Sequence, residues 1–234
     1  MRMVALKYVV LTRRAQPAQA SIRTATRRPR DTPPPVLYGE EIVAENDTLI
    51  YVIDRSGSMA WDNLAFIGLD GQARTGCRMD RAKVEISRSI MGLSANFKFN
   101  IVAYDCMLYL WRNGLSPADD MAKQAALGWV NMLIPQGATA TGPAVSLALG
   151  DRTNHTIALI TDGAPNCGVP AYQPFYTSGW FDENAAIGQH RQMISSNNAQ
   201  GARINVFGIA ASGSYRNFCQ VVAADSGGSY TDVN

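Results

Sequence analysis

The sequence predicts an α/β protein with a doubly wound, mostly parallel central sheet, helices on both faces and an extended basic N-terminal arm. Three observations support this prediction. The apolar runs 49–53 and 156–161 have the pattern of strands buried on both faces, and an aspartate follows each run. Segments with helical spacing alternate with strands along the chain. Residues 1–30 contain eight basic side chains and no acidic one.

Composition narrows the class of protein. Of the 234 residues, 47% are hydrophobic and 17% are charged, which suits a folded domain with a real core. No apolar run approaches the roughly 20 residues that a bilayer-spanning helix needs. The four cysteines are too few for a disulfide-dense miniprotein. Residues 31–234 contain 13 basic and 19 acidic groups, so the positive charge is local to the arm and does not by itself indicate a nucleic-acid-binding protein.

Residues 1–36 are predicted to form an Arg/Pro-rich arm and linker, because three consecutive prolines from Pro33 favour a stiff, extended spacer. Three interpretations of the arm stay open: a solvated tail, an assembly arm that lies along a partner protein or nucleic acid, and an organelle transit peptide. A secretory signal is not expected, because Lys7 interrupts the apolar stretch. We therefore expect an intracellular protein, cytoplasmic or part of a virion or another large complex, with organelle import as an alternative. The candidate contact residues of the arm are Arg13, Arg14, Arg27, Arg28 and Arg30.

The remaining elements follow from periodicity and capping residues. A helix is predicted from Met79, and another over 117–134 with Ser116 as its N-cap and Pro117 at its first position. A further helix should follow Thr141. The other predicted helices cover 183–197 and 215–224, and the other predicted strands cover 97–104, 107–111, 203–210 and 229–233.

Oxygen-bearing side chains gather where predicted strands end. Asp54, Ser56 and Ser58 alternate in the loop after the first buried strand, so their oxygens can face one point, and Gly57 permits a sharp path. The carboxyl ends of parallel strands share one edge of a sheet, which is where such folds bind ligands. We therefore expect Asp162, at the end of the second buried strand, to lie near Asp54.

A glycine-bounded loop, 137–142, adds the hydroxyls of Thr139 and Thr141. These groups provide hard oxygens and no imidazole or thiolate, a chemistry that selects Mg²⁺, Mn²⁺ or Ca²⁺ over Zn²⁺ or Cu²⁺. No cysteine spacing indicates a metal site, since the chain has no C-x-x-C.

The three motifs together resemble the von Willebrand factor A (VWA) domain with its metal-ion-dependent adhesion site. That family carries D-x-S-x-S, then a threonine in a Gly-rich loop, then an aspartate in a T-D-G-like turn. The resemblance implies a Rossmann-like VWA domain over residues 37–234. It assigns the metal ligands to Asp54, Ser56, Ser58, Thr139 and Asp162, with Thr139 preferred because the family uses the first threonine of T-x-T. Loop support is assigned to Gly57, Thr141 and Gly163.

The resemblance also implies a function. It indicates a non-enzymatic protein-binding or assembly module that holds Mg²⁺, or else Mn²⁺ or Ca²⁺, and engages an Asp or Glu side chain of a partner protein. The alternative is a structural subunit of a large assembly, a virion or an organellar or ribonucleoprotein complex, docked through the arm with a structural or vestigial metal site. Nucleic acid is expected to contact the arm alone, and no membrane insertion is expected.

Two insertions depart from the common pattern, at 59–78 and 164–182, and both should rise beside the metal. Their aromatic residues either contact a partner or pack on one another. These candidates are Trp61, Phe66, Tyr172, Phe175, Tyr176, Trp180 and Phe181. Each insertion contains a cysteine, so Cys77 and Cys167 either pair or, as we expect without a secretory signal, stay as thiols. Cys106 and Cys219 are expected in the core.

Enzymatic motifs are missing from the sequence. It has no Gly-Lys of a P-loop, no G-x-S-x-G and no H-E-x-x-H. The two histidines, His155 at the start of a strand and His190 on a predicted surface helix, are expected to have structural roles. Asp54 is not expected to be a phosphatase-like nucleophile, because Ser56 stands where a second acid would be needed. The sequence thus predicts a protein that is not an enzyme.

Overall fold

The central element of the fold is a seven-stranded sheet. The computed structural model describes residues 32–44, 46–163, 165–169 and 182–233, and from Thr32 onward these belong to one compact unit. Their strands are β1 (Val36–Leu37), β2 (Glu40–Glu41), β3 (Thr48–Asp54), β4 (Leu64–Ile67), β5 (Ala73–Gly76), β6 (Lys98–Tyr104), β7 (Leu108–Leu110), β8 (Ser116–Pro117), β9 (Thr156–Thr161), β10 (Arg203–Ile209) and β11 (Tyr230–Val233). Their α-helices are α1 (Arg78–Gly92), α2 (Asp120–Asn131), α3 (Thr141–Leu149), α4 (Glu183–Asn197) and α5 (Gly213–Asp225).

The strand order of the sheet is β11-β10-β9-β3-β6-β7, with β8 also paired to β6. The five strands from β11 to β6 are parallel to their neighbours, while β7 and β8 are antiparallel to β6. Every residue of β3 is buried, because β3 lies between β6 and β9. Its last residue, Asp54, is therefore at the middle of the carboxyl edge of the sheet.

Helices cover both faces of the sheet, which confirms the predicted doubly wound α/β class. Side chains alternate along β3: Leu49, Tyr51 and Ile53 pack into a core with α1 and α2. Ile50 and Val52 pack into a second core with α3, α4 and α5. A strand with apolar residues on both faces gives the continuous apolar run seen in the sequence.

The predicted start of α2 is wrong. The helix begins at Asp120 and its N-cap is Asp119, whose carboxylate accepts a hydrogen bond of 2.7 Å from the Ala122 N–H. Ser116 and Pro117 instead form β8, paired with Phe99 and Lys98 of β6. Pairing with the sheet edge thus overrides the local preference of the Ser-Pro dipeptide for a helix start.

The first insertion, 59–78, has regular structure that the sequence analysis did not predict. A short 3₁₀ helix, Gly57–Ala60, begins within the first motif and ends in the insertion. The antiparallel hairpin of β4 and β5 comes next and leads directly into α1. Within the residues that the structure describes, no helix is long and apolar enough to cross a membrane.

The two candidate caps of α2 allow a direct test. Asp119→Ala removes the hydrogen bond to the Ala122 N–H and should lower the free energy of unfolding by about 1 kcal/mol, the usual value of an N-cap side chain. Ser116→Ala removes only the acceptor of a 3.2 Å bond from the exposed Arg112 and should cost less. Urea unfolding of both variants measures the difference, and a larger loss for Ser116→Ala would contradict the assignment.

Candidate metal centre

Asp54 is held rigidly at the carboxyl end of β3. Its side chain is inaccessible to solvent. Its Oδ1 accepts a hydrogen bond of 2.8 Å from the Ser56 N–H, and its Oδ2 accepts one of 2.7 Å from the Thr161 hydroxyl. Thr161 is the last residue of β9, which pairs in parallel with β3. The pairing of these two strands therefore places the Thr161 hydroxyl beside Asp54.

The two serines of the first motif face each other across the loop, with their hydroxyl oxygens 3.1 Å apart. The Gly57 N–H between them donates to the Gly137 carbonyl at 2.9 Å. A Cβ at Gly57 would lie 3.3 Å from the same oxygen, so a glycine suits this close approach of the two loops. The first motif and the loop that contains Thr139 are thereby joined.

Thr139 and Thr141 differ in their surroundings. The Thr141 hydroxyl is 3.2 Å from the hydroxyl of Tyr104, and both side chains are buried. Thr139 instead lines the cavity that contains the two serines. Thr139 stays the candidate ligand and Thr141 the candidate support.

Backbone hydrogen bonds hold the Thr139 loop, residues 136–140, from three sides. The Gln136 N–H donates to the Arg55 carbonyl at 2.8 Å, and the Ala140 N–H donates to the Asp105 carbonyl at 3.0 Å. On the third side, the Asn166 N–H donates to the Thr139 carbonyl at 2.9 Å, and the Asn166 side chain accepts from the Thr139 N–H at 2.7 Å. The Thr139 backbone therefore has little freedom to move.

A disulfide joins two of these supports and corrects the cysteine prediction. Cys106, next to Asp105, pairs with Cys167, next to Asn166, with Cα atoms 5.8 Å apart. Cys106 is exposed rather than in the core, while Cys219 is buried as expected. Cys77 is free and half-buried. It does not pair with Cys167, because Cys167 is already bonded to Cys106.

Asp162, the second candidate carboxylate, lies at the wall of the cavity. It is 4% exposed, and its Oδ2 accepts a hydrogen bond of 3.0 Å from the Arg78 guanidinium. Its Oδ1 is buried and has no hydrogen-bond partner. A buried carboxylate oxygen without a partner is costly, so this atom indicates a place for a cation or another donor.

The cavity is open to solvent and has a volume of about 610 Å³. Its described lining residues are Ser56, Gly57, Ser58, Trp61, Arg78, Gly137, Ala138, Thr139, Asp162, Asn166, Ala210, Ser212 and Tyr215. Trp61 lines the cavity and is 63% exposed, and its contact with a partner stays a prediction. Phe66 is half-buried in β4 and does not line the cavity.

Other predicted contact residues cannot be placed. The aromatic candidates of the second insertion and the arginines of the arm lie outside the described residues: Tyr172, Phe175, Tyr176, Trp180, Phe181, Arg13, Arg14, Arg27, Arg28 and Arg30. Gly163 is described and has a φ of +88°, which glycine adopts without strain. Its N–H donates to the Thr161 hydroxyl at 3.0 Å, which orients that hydroxyl toward Asp54.

His190 is buried, not on the surface as predicted. Its Nδ1 accepts a hydrogen bond of 2.7 Å from the Gly142 N–H at the start of α3. Burial lowers the pKa of His190 to about 4, so the ring is neutral at neutral pH. Its role is structural, as expected, since it ties α4 to the helix that follows the Thr139 loop.

The charge of Asp162 acts on Asp54. Burial, and after it this nearby charge, raise the pKa of Asp54 to about 7 against the lowering effect of the hydrogen bonds from Ser56 and Thr161. A divalent cation between such groups would favour their charged forms. The donor set thus fits a hard cation: it has three hydroxyls and two carboxylates, and one oxygen of the Asp162 carboxylate has no partner.

The described residues contain no group of three or more His, Cys, Asp or Glu side chains that could hold a metal, since hydroxyls supply most of this donor set. The sequence analysis missed Arg78, Asn166 and Asp105. Asp105 could have been found, because it follows the predicted strand 97–104 as Asp54 and Asp162 follow theirs. Arg78, at the start of α1, and Asn166, in the loop after β9, reach the site through tertiary contacts that carry no sequence signal.

Comparisons with known proteins establish the fold. No family model and no curated protein sequence matches the chain. Among solved structures it is similar to a von Willebrand factor type A protein from Catenulispora acidiphila, with a TM-score of 0.58 and 20% identity over 82% of this chain and 39% of that one.

Two proteins of bacterial pili are also similar. The PilB minor pilin from Streptococcus sanguinis has a TM-score of 0.55 and 17% identity over 83% of this chain and 58% of that one. The pilus adhesin SpaC from Lactobacillus rhamnosus GG, in its open conformation, has a TM-score of 0.57 and 14% identity over 80% and 28%. The chain spans less than two thirds of the length of each of these three proteins. The similarity confirms that the described body has the VWA fold.

The disulfide should contribute to stability. Replacing both cysteines, Cys106→Ser with Cys167→Ser, opens a link between residues 61 positions apart and should lower the free energy of unfolding by about 2–4 kcal/mol. Cys77→Ser is the control, because Cys77 is a free thiol. Urea unfolding without reductant measures both. A reducing agent should lower the free energy of unfolding of the wild type to that of the double variant. Equal losses of this free energy in the double variant and in Cys77→Ser would contradict the pairing.

The raised pKa of Asp54 predicts a pH effect on the metal-free protein. Because the folded-state pKa of about 7 exceeds the unfolded value of about 3.9, folding favours the protonated carboxyl, and this contribution is lost as pH rises toward 7. Asp54→Asn stays neutral. In EDTA, its free energy of unfolding relative to wild type should therefore increase by about 2 kcal/mol between pH 5 and pH 8. Urea unfolding at both pH values measures this difference, and a constant difference would contradict the shift.

Proposed function

We propose that the VWA body of this chain is a non-enzymatic protein-binding module that holds a divalent cation at the carboxyl edge of its sheet and engages an acidic side chain of a partner protein. The observation that carries the proposal is the buried Oδ1 of Asp162, which has no hydrogen-bond partner. Asp162 and Asp54 are both buried at the carboxyl edge of the sheet, and the charge of Asp162 acts on Asp54. Such a pair is costly to bury without a counter-charge.

The proposed ligands are the hydroxyls of Ser56, Ser58 and Thr139 and the carboxylates of Asp54 and Asp162. Mg²⁺ suits this set, because it prefers oxygen ligands, keeps several waters and is usually bound through one or two carboxylates. Mn²⁺ and Ca²⁺ are the alternatives. When bound, the cation would supply a positive centre that accepts a carboxylate of the partner in place of water.

The shape of the site supports binding rather than catalysis. The cavity is open and broad enough for a side chain of a second protein. The described residues that line it include no histidine, lysine or cysteine, so Asp162 is their only ordinary candidate for a general base. One oxygen of Asp162 already accepts a hydrogen bond from the Arg78 guanidinium at 3.0 Å, so it is not free to accept a proton from a substrate. These features favour a site that recognises a ligand and does not transform it.

The similarity to a minor pilin and a pilus adhesin supports a role in protein binding. It does so through the fold alone, and the partner of this chain follows from the chemistry of its own site. An exposed Trp61 beside the cavity would add an apolar contact next to the acidic side chain.

Metal binding tests the proposal directly. Asp162→Asn should weaken Mn²⁺ binding more than about 100-fold in isothermal titration calorimetry, because even indirect partners of a metal ligand are worth about 10–100-fold. Asp151→Asn is the matched control. Asp151 lies before β9, at the opposite edge of the sheet, and its Oδ1 accepts from the Thr153 hydroxyl at 2.6 Å. The proposal fails if the wild type binds no Mn²⁺ or if both variants bind it equally.

A capture experiment separates the two functional candidates. The full chain is used to bind proteins from native extract in Mg²⁺ and again in EDTA, and the proteins are identified by mass spectrometry. Under our proposal, partners are lost in EDTA and with Asp54→Ala but kept when residues 1–30 are deleted. The alternative, a structural subunit docked by its arm, predicts the reverse. Localisation inside the cell stays a prediction of the sequence.

A further inference from the structure

Arg78 is the one described arginine that lines the cavity. It is the first residue of α1, and its side chain is 12% exposed. Its Nη1 donates to Asp162 Oδ2 at 3.0 Å and its Nε donates to Asp62 Oδ2 at 2.6 Å. Its guanidinium carbon also lies 5.8 Å from the centre of the Trp61 ring. The guanidinium is therefore fixed from three directions at the wall of the candidate site.

We propose that Arg78 shares Asp162 with the divalent cation and sets the affinity of the site for it. This inference rests on the proposed function and concerns the same site. Asp162 offers two oxygens: the guanidinium occupies Oδ2, and Oδ1 is buried without a partner. A cation at Oδ1 therefore binds a carboxylate whose charge is already partly compensated, and a positive group stands on the other side of it.

Asp62 determines how strongly Arg78 opposes the cation. Its carboxylate, with a side chain 40% exposed, binds the Nε of the same guanidinium. It lies in the insertion just before the β4–β5 hairpin and has a φ of +64°, the left-handed region that Asp and Asn tolerate best among ordinary residues. Asp62 draws positive charge away from Asp162, so the two aspartates compete for one guanidinium.

This competition predicts opposite effects for two substitutions at the same ion pair. Arg78→Met removes the positive group but keeps an unbranched side chain against Trp61. It should tighten Mn²⁺ binding about tenfold or more, since a hydrogen-bonded charge of this kind contributes at least that much. Asp62→Asn keeps the left-handed backbone but removes the second anion. Arg78 then pairs more closely with Asp162, and Mn²⁺ binding should weaken by up to about fivefold.

The experiment measures the Mn²⁺ dissociation constants of the full-length wild type, Arg78→Met and Asp62→Asn by isothermal titration calorimetry, with thermal unfolding as a check on folding. Tighter binding by Arg78→Met together with weaker binding by Asp62→Asn supports the inference. Unchanged or weaker binding by Arg78→Met overturns it, because removal of a competing positive group should tighten binding. If the wild type binds no Mn²⁺, the proposed function itself fails.

Discussion

The burial of two carboxylates at one edge of the sheet is the constraint to which the surrounding structure responds. Charge removed from water is costly unless hydrogen bonds or opposite charges replace the lost hydration. Asp54 receives a backbone N–H and a hydroxyl, from Ser56 and Thr161. Asp162 receives the guanidinium of Arg78 on one oxygen only. Three of the four carboxylate oxygens thus accept a hydrogen bond. The fourth, Oδ1 of Asp162, has no partner, and it is the oxygen to which a cation is proposed to bind.

The elements that position the carboxylates could be predicted from the sequence. A strand buried on both faces carries continuous apolar residues, so β3 and β9 could be recognised from their apolar runs in the sequence. The rule that ligands bind at the carboxyl ends of parallel strands then brought Asp54 and Asp162 together. The preference for Thr139 over Thr141 came from the family resemblance. In the structure, the Thr141 hydroxyl contacts Tyr104, whereas Thr139 lines the cavity.

The features that could not be predicted depend on contacts between distant residues. Ser116 and Asp119 are both good helix caps, and only the pairing of Ser116 with Phe99 of β6 decides between them. The partner of Cys167 depends on how closely its loop approaches the loop of Cys106. The spacing of the cysteines in the sequence does not reveal this. His190 is buried because α4 packs on α3, where a Cβ at Gly142 would lie 2.7 Å from its Nδ1. A single histidine in a helical sequence does not indicate that the helix packs against another at that point.

The cavity wall formed by Ser212 and Tyr215 has a mechanical consequence. Tyr215 is in the first turn of α5, and its hydroxyl donates to Glu183 at 3.3 Å, while the Ser214 hydroxyl donates to the same carboxylate at 2.5 Å. Glu183 is the first residue of α4. The amino-terminal ends of α4 and α5 are therefore joined through Glu183 beside the cavity. Because Tyr215 lines the cavity, a ligand that displaced its side chain would disturb the first turn of both helices.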